Sequence, residues 1–397
     1  MSVTTRSMRA RNRRQLLELL RENGALSQAE IARKTGLSRT TISTLVAELR
    51  TLGLLVESDS GRPDVGAQGG RPPVMLALDD SAGTAVGVDV GHGHLRVAVA
   101  NLARTVLAEQ VRELDVDQDA TRTLDVAAEM VADALAESGV DRARVIGVGM
   151  GLPGPIDRAS GVVASGSILP GWRGVRAADE LSTRTGLPVG LDNDANLAAL
   201  AETLWGGGQG CAHVVYLKVA NRIGCGLIVD GWLFRGARGI AGEIGHTVVN
   251  ESGPVCYCGS RGCLETVASA SAIADMLRLR HREQLTLAQV VALAADGDPG
   301  CQRALGDVSA EIGIAVGNMC NLLNPERVVV GGTLAQAGEV VLDPIRQAVR
   351  RATRQFTTEM TAVVPAQLGD RAEVLGALAL VMRDASKHFT LRLDASL

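Results

Sequence analysis

Three cysteines in the pattern Cys256-x-Cys258-x4-Cys263 present soft thiolates from one Gly-containing loop, which suits a small cation better than a disulfide framework. His246 lies ten residues before the first of them and supplies a fourth ligand. A Cys3His set is tetrahedral and closed, so it holds structural zinc and leaves no open position for catalysis. The expected cofactor is therefore Zn2+ on His246, Cys256, Cys258 and Cys263. The remaining cysteines, Cys211, Cys225, Cys301 and Cys320, are scattered through apolar stretches and read as core. A second set lies near the N-terminus, where Ser38, Arg39, Thr40, Thr41, Ser43 and Thr44 would share the start of one helix. Their small hydroxyl side chains let a backbone approach DNA, and Arg39 can reach guanine or phosphate.

These groups need elements to hold them. With 397 residues, 46% of them hydrophobic, the chain exceeds one ordinary core and suits two or three globular units. Only 2% are aromatic against 46 Gly, which favours an α/β chain rich in loops. No apolar run reaches the ~18 to 20 residues of a membrane span, and the Arg-rich start leads into an amphipathic helix, not a cleavable signal. A cytoplasmic protein with no membrane partner is expected. The net charge of −4 conceals an asymmetry: residues 1–73 hold 12 Lys+Arg against 7 Asp+Glu, and the rest 28 against 37. Nucleic acid should meet the basic head only.

In that head, Leu16, Leu17, Leu19 and Leu20 mark a helix from Arg11 to about Asn23. Ser27 with Glu30 forms a capping box for a second helix, and Ser38 can cap a third. Ile42, Leu45, Val46, Leu49 and Leu52 give this third helix its buried face, leaving Arg39, Thr40, Ser43 and Thr44 on the other, as in a recognition helix. Strand-like Leu54–Val56 and Val74–Leu78 flank a Gly-rich loop, as in a wing. Arg62 and Arg71, each in a Gly-Arg-Pro triplet of that loop, suit a narrow minor groove. The bland alternative is a three-helix bundle for protein contacts.

From about Ala85, short Val-rich strands alternate with helices, which argues for a parallel or mixed α/β sheet. Along it lie Gly151 to Asp157, Leu169-Pro170-Gly171-Trp172, Asp192-Asn193-Asp194-Ala195-Asn196, Ala241-Gly242-Glu243-Ile244-Gly245-His246 and the Cys256 to Glu265 loop. This order of motifs resembles the ROK family of repressors and sugar kinases, over about residues 85–380. The resemblance implies α/β architecture with an actin-like (ribonuclease H-like), two-lobed sugar-kinase fold, preceded by a winged helix-turn-helix. The corresponding domains are 1–80 and 81–397, with lobes of roughly 81–195 and 196–380. It also implies the same four zinc ligands.

The resemblance further implies that Asn193, Asp194, Glu243, His246 and Glu265 contact the sugar, Asp194 in the position of the catalytic base. Asn193-Asp194 equally suits a helix cap. Ile168 stands where many relatives carry Asn. The phosphate loops depart further: Asp89-Val90-Gly91-His92-Gly93 replaces Asp-x-Gly-Gly-Thr, and Ala220 and Arg222 replace two glycines of the second loop. ATP binding is therefore doubtful, although Gly331-Gly332-Thr333 persists. The expected protein is a sugar-responsive, DNA-binding repressor, a homodimer or homotetramer on a double-stranded operator. The alternative is an active ATP-dependent sugar kinase with a DNA-binding head.

Overall fold

The computed structural model of the protein describes residues 3–58, 73–163, 168–281, 283–354 and 361–394. The head comprises α1 (Val3–Asn23), β1 (Leu26–Ser27), α2 (Gln28–Thr35), α3 (Arg39–Thr51), β2 (Leu55–Ser58) and β3 (Met75–Leu78). The capping box forms as expected: Ser27 Oγ accepts from Glu30 N at 3.3 Å while the Glu30 carboxylate accepts from Ser27 N at 2.8 Å. Ser38 Oγ likewise caps α3 by accepting from Thr41 N at 3.1 Å. β2 and β3 pair antiparallel as the base of the wing, and β1 adds a third strand too short for any alternation to reveal. Helix α1 begins well before Arg11, because Arg, Met and Ala are good helix formers even without an apolar stripe. Arg62 and Arg71 lie outside the described residues.

The body begins with β4 (Thr84–Gly91), β5 (His94–Asn101) and β6 (Val106–Glu113), then α4 (Ala120–Ser138) and β7 (Val145–Leu152). A ribbon of β8 (Ile156–Asp157) and β9 (Val162–Val163), α5 (Ala177–Thr185) and β10 (Val189–Asn193) follow. After α6 (Asp194–Trp205) come β11 (Val214–Val219), β12 (Ile223–Val229) and β13 (Trp232–Phe234). Four helices succeed them: α7 (Glu265–Ala268), α8 (Ala270–Leu277), α9 (Leu287–Ala295) and α10 (Pro299–Leu323). The chain finishes with β14 (Arg327–Gly331), α11 (Glu339–Ala352), β15 (Ala362–Pro365) and α12 (Ala372–Asp394).

The two five-stranded sheets run β6-β5-β4-β7-β10 and β13-β12-β11-β14-β15. In each, three strands form an antiparallel meander and two more add in parallel beside the first. This repeated topology is the two-lobed, actin-like sugar-kinase fold, α/β overall, with a winged helix-turn-helix before it. Helices α6 and α12 cross closely, since a Cβ on Gly376 would stand 1.9 Å from Leu197 O. Only glycine permits that approach. Val374, Leu378 and Met382 of α12 join one apolar cluster with Ala85, Ala98 and Ile146 of the first sheet and Leu16, Leu20 and Leu54 of the head. Cys225, Cys301 and Cys320 are buried as expected, but Cys211 is only half-buried because it falls in the turn after α6.

Candidate functional site

A cavity of about 540 Å3 lies between the two sheets and takes walls from both. Asn193 enters it from the end of β10. Its amide oxygen accepts from Ala195 N and Asn196 N at 2.9 and 3.3 Å, and its Nδ2 donates to Gly154 O at 2.9 Å. The capping role is thus formed. Asp194 opens α6 beside it. Glu243 reaches the same cavity from a turn that only glycine allows: Gly242 has φ +98°, and a Cβ there would stand 2.1 Å from Cys225 O. Burial, then the charges of Asp194 and Glu265, push the Glu243 carboxyl up to about 7.

His246 and Glu265 do not line the cavity. His246 Nε2 is 3.0 Å from the Tyr257 hydroxyl, and Tyr257 forms the wall there. Glu265 is buried, accepts from Ile223 N at 2.9 Å, and lies 3.9 Å from the Arg222 guanidinium. Arg222 in turn stacks over the Tyr257 ring, 4.1 Å from its centroid. The altered second loop therefore reaches toward the cysteine loop.

Two residues with no role in the sequence reading dominate the centre. Lys218, on β11, donates from Nζ to Asp194 Oδ2 at 2.8 Å and to Glu373 Oε1 at 2.6 Å. All three side chains are largely buried. Burial lowers the Lys218 pKa, but Asp194 and Glu373 outweigh it and leave the pKa well above the usual lysine value. Burial pushes the Glu373 carboxyl up, Lys218 pulls it down, and Asp89 and Asp194 push with burial. Lys218 was visible in sequence as a lysine inside a Val-rich strand, an anomaly in a buried element. Glu373 carried no such signal.

At the β4–β5 end of the cavity, His92 Nδ1 is 2.7 Å from Asp117 Oδ1 and His94 Nε2 is 3.0 Å from Asp89 Oδ2. The Asp89 hydrogen bond raises the His94 pKa against the effect of burial. The His94 ring covers Gly91, because a Cβ there would stand 2.3 Å from it. On the opposite side Gly332, at φ +81°, packs its α-carbon against Val219 O, where a Cβ would stand at 2.4 Å.

The ligand atoms of His246, Cys256, Cys258 and Cys263 all lie within 4.8 Å of one another. Cys256 Sγ is 3.7 Å from His246 Nδ1, and Cys258 Sγ is 3.8 Å from Cys263 Sγ. The four can therefore hold a single metal ion through Nδ1. Burial and Arg222 lower the His246 pKa, which favours the neutral, ligating imidazole. His281, Asp298 and Cys301 also converge, but both Asp298 oxygens are engaged by Arg280, and one of them by the first amides of α10.

In the head, Ser38, Arg39, Thr40, Ser43 and Thr44 are exposed along the start of α3, and Thr41 is half-buried with its hydroxyl 2.8 Å from Ser38 Oγ. Thr44 Oγ1 donates to Thr40 O at 3.0 Å. The head meets the body through polar contacts as well as the shared core. Arg104, in the β5–β6 turn, donates to both oxygens of Glu18 at 2.6 and 2.5 Å and lies 5.1 Å over the ring of Trp205, the last residue of α6. Arg21 donates to Leu102 O at 2.8 Å. No helix among the described residues is long and apolar enough to cross a membrane.

The profile of the ROK family matches residues 85–384. The chain belongs to the ROK family. A MarR-family profile matches residues 10–62, the head of this ROK protein. It is 30% identical over 388 residues to a xylose repressor of Caldicellulosiruptor bescii, covering 94% of this chain and 96% of that protein. It is 33% identical to a glucokinase of Thermotoga maritima, but there the match covers 75% of this chain and 96% of the glucokinase. A solved ROK transcriptional regulator, a homologue of the E. coli Mlc protein, superposes with a TM-score of 0.81 at 26% identity, covering 97% of this chain and 98% of that one. The similarity to regulators thus includes the head, which the glucokinase match leaves out.

Proposed function

We propose that this ROK protein is a transcriptional repressor whose kinase-like body binds a sugar without phosphorylating it, and whose head grips an operator accordingly. The observation that carries the reading is the Lys218 ammonium seated on Asp194 in a chain that also has an exposed recognition helix. A general base must have a lone pair aimed at the sugar hydroxyl and a phosphoryl acceptor path beyond it. Here one carboxylate oxygen is held by Lys218 and the other accepts from Ala195 N at 2.8 Å. His94 covers Gly91, where a nucleotide's phosphates would approach the backbone. Asn193, Asp194 and Glu243 remain as hydrogen-bonding groups for sugar hydroxyls, with the apolar Ile168 on the same wall. His246 and Glu265 act on the sugar through Tyr257 and Arg222.

The metal is zinc, held by His246, Cys256, Cys258 and Cys263. Zinc with Zn–S bonds of about 2.3 Å spaces its ligands roughly 3.8 Å apart, which matches the observed separations of 3.7 and 3.8 Å. Its role is to stiffen the Tyr257 loop against the cavity, as an orienting centre and not a Lewis acid. Two heads of a cytoplasmic homodimer, or of a dimer within a tetramer, read an inverted repeat through Arg39, Thr40, Ser43 and Thr44. Ser38 and Thr41 set the start of that helix.

The test pairs operator binding with a phosphotransfer assay. An operator selected from random DNA is titrated with protein, with and without a panel of pentoses and hexoses, and ADP formation is followed with ATP and the same sugars. A sugar should shift operator affinity several-fold with no turnover. Turnover that Asp194→Asn abolishes would reject the non-enzymatic reading in favour of a kinase.

A further inference from the structure

A second cavity of about 600 Å3 opens at the edge of the first sheet and shares no residue with the interlobe cleft. Aliphatic side chains of β7, β10, α6 and α12 form its walls, and Trp232 of β13 closes one side, 45% exposed. Three guanidiniums, Arg158, Arg235 and Arg383, line it against a single carboxylate, Asp192. This reverses the sign of a body that carries 28 Lys+Arg against 37 Asp+Glu.

The carboxylate is already committed. Asp192 Oδ2 accepts from Arg235 Nε at 2.6 Å, and Oδ1 accepts from Asn193 N at 2.9 Å and Asn196 Nδ2 at 2.8 Å. Arg383 lies over the Trp232 ring, 5.0 Å from its centroid, and its guanidinium also donates to Gly231 O. Arg158 is exposed and has no carboxylate partner among the described residues. Guanidiniums that line one cavity take a phosphate through paired N–H donors, Arg158 with both of its donor edges and Arg235 and Arg383 with those left by their present partners, and an indole face beside aliphatic walls takes a flat or ring-shaped body.

We infer that this cavity binds a phosphate monoester with a ring-bearing body, as an effector site separate from the sugar cleft. Arg235 joins the two sites, because the Asp192 it holds also fixes the main chain of Asn193 and the side chain of Asn196. A phosphate that draws on Arg235 weakens its hold on Asp192 and loosens the turn that carries Asn193 and Asp194. Sugar and phosphate ester are then coupled, and the coupling is reciprocal. This coupling rests on the sugar-sensor reading; phosphate-ester binding itself does not.

The full-length protein is titrated with inorganic phosphate, glucose 6-phosphate and AMP, by calorimetry and by the fluorescence of Trp232. One of the two esters should bind more tightly than inorganic phosphate, and which one does so identifies a sugar or a nucleotide body. Arg158→Ala should weaken that ester about tenfold and Arg158→Glu more, both at an exposed position that leaves the fold intact. Trp232→Phe should remove the fluorescence change. Absence of ester binding at millimolar concentration, or affinity unaltered by Arg158→Glu, overturns the proposal. None of these readouts requires a sugar or an operator, so the sensor reading can fail without it.

Discussion

Replacing Lys218 by Met removes the ammonium between Asp194 and Glu373 while keeping the volume of its stem. At 2.8 and 2.6 Å the two contacts are each worth about 6 kcal/mol at an effective dielectric of ~20, before the desolvation of the ammonium is deducted. That deduction is several kcal/mol, and removing one partner of a buried pair typically leaves a net loss of ~3 to 5 kcal/mol. For a body of this size, whose unfolding entropy is about 0.7 kcal/mol/K, the loss lowers Tm by about 4 to 8 °C. The pH dependence identifies the cause. Without Lys218, the Glu373 carboxyl, pushed up by burial and by Asp89 and Asp194, loses the one charge that pulls it down, so its folded pKa rises further above the unfolded one. Groups of that kind contribute stability that is fully present below the unfolded pKa and is lost as pH rises through the folded pKa. The deficit of Lys218→Met should therefore be widest near pH 8 and shrink as pH falls toward the ordinary carboxylate range near 4. Adding Glu373→Gln should recover much of it at pH 8. Thermal unfolding of the four proteins of this cycle across pH gives the answer. A deficit that is flat with pH, or indifferent to Glu373→Gln, would refute the claim that Lys218 serves as the counter-ion of the cleft.

Other outcomes follow from the same geometry. His246→Ala should reduce bound zinc in the purified protein from near one per chain to a small fraction, measured by mass spectrometry after dialysis; unchanged metal would remove His246 from the site. Arg39→Ala should cost about 1 to 3 kcal/mol of operator binding and relax preference at one base pair if it reads a base, or lower affinity evenly across sequences if it contacts phosphate. Ser27→Ala should destabilise the head by ~1 kcal/mol through loss of the α2 cap, seen as faster amide exchange in α2. Arg104→Met should leave sugar affinity within a few-fold but diminish the sugar-induced change in operator affinity, compared by anisotropy with and without sugar.

Local patterns were legible where one short segment determines them. The Ser27–Glu30 box, the Ser38 cap and the apolar face of α3 depend on residues within a turn or two. The Cys256–Cys263 loop is similar, since three of its four ligands sit in eight residues and their spacing alone implies convergence. The cleft was less legible because its centre is assembled from distant segments. Glu373 lies 155 positions from Lys218 and sits in a helix whose N-terminal turn looks like any other acidic first turn. His246 and Glu265 carry polar groups suited to a sugar, but nothing local indicates that Tyr257 and Arg222 stand between them and the cavity. Arg222 reads as a replaced glycine in a phosphate loop; only the fold turns it toward the metal loop.

Lys218 also bears on how a sugar could be felt at the head. Its two carboxylate partners are the first residues of α6 and, within one position, of α12. These helices cross tightly at Gly376 and Leu197, so one cannot shift far without the other. Trp205, the last residue of α6, carries Arg104 and thereby Glu18 of α1, while Met382, midway along α12, shares a core with Leu16 and Leu20 of α1. A sugar that binds beside Asp194 competes for that carboxylate with Lys218, and so alters the electrostatic tie between the starts of two helices that are both linked to the head. Coupling of this kind requires differential affinity of the sugar for two arrangements of the pair, not a large displacement. A phosphoryl-transfer site needs Asp194 accessible for proton transfer; a sensor gains from having it held, because releasing it then changes the packing of α6 against α12.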